Sequence, residues 1–397
     1  MPKSRGRNGR RNRPSTHNRS AQLRAKAATR DQYEPYANAI IAANACEADG
    51  DAKGALDVIG QSPHGPDGEF MWAPWRIDRL LQMETWRRFL PPWAFARWMV
   101  QQAGSQMTRR SVERTLQATD MAVKVQGRSP TSAPTSRRTW IGDHDWVAHQ
   151  LAVHDLGGLA EFVARRPGVA GLAGDVSSWV DAPMGGYRCV DETDQEIVWT
   201  DLASGDEITT LNLGAALHLQ AGRCVIGRMV TSGDVRLFDI APAPVGEAVA
   251  EAIAASPGDW VDVITASADA SHVGLLSPGQ DGALLTDLSE SVWRDAILDP
   301  WGRGDPGHGR REIQPTLEEE DSMTADAILG LLRQPLDDEL IPLPCFAAAL
   351  LSEGVWEQLV LRLRPEYATP LGNLARRLAG PAADICQQMS RALTESA

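Results

Sequence analysis

Between Tyr187 and Ile240 apolar and polar residues alternate in five short runs: 187–190, 196–200, 207–211, 223–230 and 235–240. Period-two alternation places successive side chains on opposite faces of a strand. Turn residues separate the runs: Asp191 to Asp194, Ser204-Gly205-Asp206, Ala221-Gly222 and Ser232-Gly233-Asp234. Pro242 and Pro244 end the series. Five such strands expose two free edges unless the sheet curls. The pattern therefore predicts a small, closed or nearly closed five-stranded β-barrel of SH3-like or OB-like kind. Gly227, inside the fourth run, suits a sharp bend. Arg228 shares strand parity with Cys224, Ile226 and Val230, so it is expected to be partly buried and paired. Tyr187, Trp199 and Phe238 are read as barrel core, with a base-stacking platform as the alternative.

Around this centre the chain reads as helical, giving an α+β class that is predominantly helical. The expected organisation is a disordered basic arm at 1–30, a Trp/Arg-rich helical region at 31–126, and a linker at 127–139. A helical segment at 140–182, the barrel at 183–244 and a helical region packed on it at 245–300 follow. A second linker at 301–322 and a C-terminal helical region at 323–397 complete it. Asp49-Gly50-Asp51 is a turn between two short helices. Asp49, Asp51 and Gly54 have calcium-loop spacing, but Lys53 and Gly60 stand where ligands are needed.

The segment 70–127 holds Trp72, Trp75, Trp86, Trp93 and Trp98, interleaved with Arg76, Arg79, Arg87, Arg88 and Arg97. Pro74 fits a first helical turn and Pro91-Pro92 breaks the run. A second helix is expected over 93–102. A third is expected to be capped at Ser105, with Val112, Leu116, Thr119 and Val123 on one stripe. Trp75 and Trp86, eleven residues apart, share a face at about 3.6 residues per turn. Three readings compete: a helical core stapled by aromatics, a basic aromatic surface for RNA or single-stranded DNA, and an amphipathic surface for anionic lipid.

Charge is segregated. The net charge is −13, yet residues 1–139 carry 23 Lys and Arg against 12 Asp and Glu. The remainder carries 16 against 40. Residues 1–30 hold ten Lys and Arg and no acid, with almost nothing to bury. Such a segment neutralises phosphates without needing a fold. Asymmetry of this kind points to an anionic partner for the basic part, or to attraction between the two halves.

Catalytic and cofactor motifs are sparse. No Gly-x-x-x-x-Gly-Lys-Ser/Thr or Gly-x-Ser-x-Gly occurs, and no Gly-x-Gly-x-x-Gly follows an expected strand. His144, His149 and His154 are spaced five apart, about 140° around a helix, and form no common ligand face. His154-Asp155 is a doublet of the kind metal phosphohydrolases use, without a correctly spaced earlier His or later Asp. Cys46, Cys189, Cys224, Cys345 and Cys386 are dispersed, which predicts buried thiols of a reducing cytoplasm. No run approaches the roughly 18 apolar residues of a membrane span, and no apolar region follows the basic start.

These features lead to the expectation of a non-enzymatic cytoplasmic adaptor without cofactor or metal. Residues 1–139 would contact nucleic acid, with Arg5, Arg7, Arg10, Arg11, Arg13, Arg87 and Arg88 as contacts. Residues 183–397 would contact protein. The alternatives are an enzyme with His218, Asp201 or Arg228 in a pocket near the barrel, and a chain whose basic half docks on its own acidic half.

Overall fold

The computed structural model describes residues 34–62, 64–65, 68–127, 141–142, 145–193, 195–213, 221–267, 317–333 and 343–395. The expected arm at 1–30 and most of both expected linkers lie outside these residues. The chain divides into two compact units, Met1–Leu81 and Gln82–Ala397.

In the first unit, α1 (34–48) and α2 (Ala52–Gln61) form the expected helix-turn-helix. Gly50 makes the turn at φ 78°, a conformation glycine adopts without a Cβ penalty. Asp51 caps α2, its Oδ1 accepting from Gly54 N at 2.8 Å. The calcium-like spacing is thus a capped turn. Ala52, Ala55 and Ile59 form the buried face of α2. The division between the units falls within helix α3 (Pro74–Phe89), which opens on Pro74 and carries Arg87 and Arg88 in its last turn, where cations favour the carbonyl end of the dipole.

In the second unit a single helix, α4 (Pro92–Arg110), runs through the break expected at Ser105. Met99, Ala103 and Met107 continue one buried stripe across that serine, so packing outweighs its cap propensity. The cap is Ser111, whose Oγ accepts from Arg114 N at 3.4 Å and opens α5 (Val112–Val125). Thr119 and Val123 are buried as expected, whereas Val112 and Leu116 of the same stripe are exposed. Short helices follow: α6 (Trp146–Gln150), a π-helical turn (Leu151–Asp155), α7 (Gly158–Arg165), α8 (Pro167–Leu172) and a 3-10 segment (Gly174–Asp181).

Strands β1 (Gly185–Glu192), β2 (Glu196–Asp201), β3 (Glu207–Leu211), β4 (Cys224–Gly227) and β7 (Ala243–Val245) form an antiparallel sheet in the order β3-β2-β1-β4-β7. Strands β5 (Met229–Ser232) and β6 (Val235–Phe238) form a separate two-stranded ribbon. This corrects the expected barrel: the sheet is open, with β3 and β7 at its edges. The expected fourth strand breaks at Arg228 into β4 and β5, which belong to different sheets. Pro244 does not end the β structure. It lies in edge strand β7 opposite Val225, where a missing N–H leaves no ladder bond unmade.

Tyr187, Cys189, Ile197, Trp199, Val225 and Phe238 form the core between sheet and ribbon. Phe238 meets Tyr187 and Trp199 edge-to-face, each at 5.4 Å between centroids. Helix α9 (Glu247–Ala255) packs on β1, and α10 (Trp260–Thr265) follows it. The C-terminal helices are α11 (Leu317–Leu332), α12 (Leu343–Leu351), α13 (Glu353–Val360), α14 (Ala368–Ala375) and α15 (Gly380–Thr394). Ile385, Cys386 and Met389 of α15 and Leu371 and Leu374 of α14 are buried. Among the described residues no helix is long and apolar enough to cross a membrane.

Candidate functional site

The Trp/Arg segment is the first candidate, because rings and guanidinium groups side by side can stack on bases and meet phosphates. Its rings are mostly inside. Trp72, Trp86, Trp93 and Trp98 are at most 4% exposed, while Trp75 is 38% exposed. Trp86 meets Trp98 and Trp356 edge-to-face, and Phe95 stacks on Trp98 at 5.0 Å. Trp72 Nε1 donates to the Ser62 carbonyl at 2.6 Å. Trp75 and Trp86 therefore differ in environment despite their helical spacing.

The arginines are also engaged. Arg79 is buried and donates to Glu47 Oε1 at 2.5 Å. Arg76 donates to Asn44 Oδ1 at 2.8 Å. Arg97 is buried and donates to the Phe238 carbonyl at 2.9 Å. Arg87 and Arg88 are exposed, and Arg88 donates to the Ala392 carbonyl at 2.9 Å. Arg5, Arg7, Arg10, Arg11 and Arg13 lie outside the described residues.

The second candidate is a buried polar network. Asp145 caps α6 by accepting from Ala148 N at 2.9 Å. The helix then widens into the π-turn, a form that often marks a functional or strained place. From these two turns Gln150 and His154 reach Asp239, which follows β6 and is fully buried. His154 Nε2 lies 2.8 Å from Asp239 Oδ2, and Gln150 Nε2 donates to the same carboxylate at 3.2 Å. Arg228, at the break between β4 and β5, completes the set. Its Nε donates to Gln150 Oε1 at 2.8 Å, one terminal nitrogen to the Ala182 carbonyl at 2.5 Å and the other to Asp155 Oδ2 at 2.6 Å. Trp260 Nε1 donates to the other oxygen of Asp155 at 3.4 Å.

The electrostatics follow from this wiring. Burial alone would push the Asp239 carboxyl up. The His154 hydrogen bond and charge and the Arg228 guanidinium overcome it, so Asp239 sits below the ordinary carboxylate range. His149, five residues before His154, is half-buried, with its Nε2 withdrawn from water and without a hydrogen-bond partner. Burial lowers its pKa to about 4 against the attraction of Asp239, with His154 lowering it further. His149 is therefore neutral at pH 7. A Cβ on Gly104 of α4 would lie 2.9 Å from its ring, so glycine lets the ring in.

This arrangement ties the π-turn to the strand ends. Arg228 spends all three nitrogens on protein acceptors, and both Asp239 oxygens are within reach of Gln150. Among the described residues no group of three or more His, Cys, Asp and Glu could hold a metal ion. Of the residues expected near an enzyme site, Arg228 is in the network and His218 lies outside the described residues. Asp201 ends β2 and accepts from Ala203 N at 2.9 Å, a turn role. The expectation that Arg228 is buried and paired holds. Its partners Gln150 and Asp155 were unreadable, since they stand more than seventy residues away.

Comparison with known proteins gives no match to a family model, to a curated protein or to a solved structure.

Proposed function

We propose that the chain is a non-catalytic cytoplasmic adaptor that takes a polyanion, foremost nucleic acid, through residues 1–30. The acidic part then serves protein contacts. One observation carries this reading: ten Lys and Arg with no acid in thirty residues. Between residues 31 and 139 the balance is 13 basic to 12 acidic, so nearly all the excess positive charge precedes residue 31. The buried tryptophans and engaged arginines of α3 and α4 move the expected contact surface toward the same thirty residues.

For residues 82–126 the alternative of a basic half resting on the acidic half has its own support. Arg114 pairs with Glu161 at 2.5 Å, and Arg97 and Arg88 donate to carbonyls at Phe238 and Ala392. In the proposed reading Arg5, Arg7, Arg10, Arg11 and Arg13 are the primary contacts, and Arg87 and Arg88 the secondary pair.

The test is binding of the full chain to single-stranded RNA and DNA over a salt series. Log affinity should fall linearly with log salt, by about 0.7 per phosphate contact on a single strand. Replacing the five early arginines with Gln should flatten that slope by about 3 to 4. Replacing Arg87 and Arg88 should flatten it by about 1. No binding, or a slope unchanged by the fivefold variant, rejects the reading.

A further inference from the structure

Two large aromatic side chains of the first unit face water. Phe70 is 51% and Trp75 38% exposed. Every other described tryptophan is at most 4% exposed, and the other described phenylalanines are buried or, at Phe89, half-buried. Large rings gain most from burial, so a chain that hides the rest of them sets these two apart. Five residues of chain keep their Cα atoms within about 18 Å of each other.

Both rings are held in place. Phe70 forms a β-bridge with His64, and Gly65 N donates to the Glu69 carbonyl at 2.8 Å inside the turn between them. The Phe70 and His64 rings meet edge-to-face at 6.2 Å. Trp75 stands in the first turn of α3, with the Arg79 guanidinium 5.1 Å from its ring. Arg79 is buried and donates to Glu47 of α1 at 2.5 Å. Side chains fixed before a ligand arrives lose little freedom on binding it.

The charges nearby select the ligand. Glu69 and Asp78 are exposed next to the two rings in the chain, so this surface is no seat for phosphates or anionic lipid. An unpaired base carries a flat π-face and no charge, and it stacks on any exposed ring. The phosphates of the same strand have their counter-charge in residues 1–30, with ten Lys and Arg and no acid. That segment leads into α1, which begins at residue 34. Helix α1 is tied to α3 through Arg79–Glu47 and through Arg76, which donates to Asn44 Oδ1 at 2.8 Å. A strand held by residues 1–30 is thereby kept at high effective concentration beside the rings.

We propose that Phe70 and Trp75 are a stacking platform for unpaired nucleobases, which makes the chain select single-stranded over double-stranded nucleic acid. The inference rests on the reading that residues 1–30 hold the phosphates. Those residues alone would favour a duplex, which carries more charge per unit length. Single-strand preference is therefore a property of the rings.

The experiment is fluorescence anisotropy of the full chain at one salt concentration. The probes are oligothymidine of about 12 nucleotides, a strand of equal length lacking its bases, and a duplex of the same length. Oligothymidine should bind at least about fivefold tighter than the base-free strand, and tighter than the duplex. Trp75→Ala and Phe70→Ala should each weaken oligothymidine by about fivefold or more and leave the base-free strand unchanged. Trp75→Leu, apolar but without a ring, should behave as Trp75→Ala does, and Trp75→Phe should keep most of the affinity. In the fivefold early-arginine variant the salt slope flattens while the preference for bases persists. A parent that binds oligothymidine and the base-free strand equally overturns the platform and leaves the reading of residues 1–30 standing. This comparison needs no variant to fold. A parent that binds neither strand overturns both. The platform also fails if Trp75→Ala weakens binding to phosphatidylserine vesicles and leaves oligothymidine binding unchanged, because the ring would then serve lipid.

Discussion

His154 Nε2 and Asp239 Oδ2 are 2.8 Å apart, with both side chains almost wholly withdrawn from water. The pair joins the π-turn to the residue after β6, and Gln150 and Arg228 extend it to Asp155. A buried charge holds its place only while its partners remain. Asp239→Ala leaves Gln150 and His154 without their shared acceptor and is expected to cost about 3–5 kcal/mol. Urea unfolding measures it. A loss under 1 kcal/mol would show that the pair does not hold this region together. Combined with His154→Ala, the two losses should fall short of additivity, since both remove the same contact.

His149 supplies an acid response. An imidazole in the unfolded chain titrates near 6.5, whereas His149 in the fold titrates at about 4. Between those values the unfolded state binds the extra proton. Stability is therefore flat above about pH 6.5 from this source and falls as pH drops toward 4. The full fall is of the order of 3 kcal/mol. His149→Leu should lose correspondingly less stability between pH 7 and pH 4.5 than the parent. Parallel curves for the two proteins would mean the ring is not buried neutral.

Sequence patterning locates the strands well, because alternation is a local signal. Every expected strand has a counterpart, and the fourth is interrupted at Arg228, the residue after Gly227. Closure is not local. Whether five strands form a barrel depends on where Arg228 finds its partners, and these lie in α6 and the π-turn. The same limit applies at Ser105 and Ser111. Both have cap chemistry, and only the buried stripe through Ala103 and Met107 decides between them. Of the network, Arg228 was legible from its parity with apolar neighbours, and His154-Asp155 stood out as a doublet. Gln150 and Asp239 carried no sequence signal, because an isolated Gln or Asp resembles any surface residue until its surroundings are known.

The tryptophans separate a structural from a recognition role. Trp86 is 3% exposed and packs against Trp98 and Trp356, so Trp86→Ala should cost about 3–5 kcal/mol in chemical unfolding. Trp75 is 38% exposed and contacts the Arg79 guanidinium at 5.1 Å, so Trp75→Ala should cost only about 0.5–1 kcal/mol. If Trp75→Ala proved the costlier of the two, the assignment of core and surface would be reversed.

Helix and sheet come close together at Gly186. A Cβ built there would lie 2.0 Å from the carbonyl oxygen of Ala250, a backbone atom of α9. Because the obstacle is main chain, no side-chain rotation relieves it. Gly186 also pairs with Ile226 of β4, so strand β1 cannot simply move away without breaking its ladder. Helix α9 must shift instead, opening the contact that buries Ala250 and Ile253. Overpacking of this kind typically costs about 1–3 kcal/mol, and a backbone obstacle places Gly186→Ala at the upper end or beyond. Gly60→Ala is the matched control, since its Cβ meets nothing within 4 Å and alanine suits a helix interior. The first variant should unfold at clearly lower urea and the second at slightly higher urea than the parent. Equal midpoints for the two would show that α9 is not seated on β1 as described.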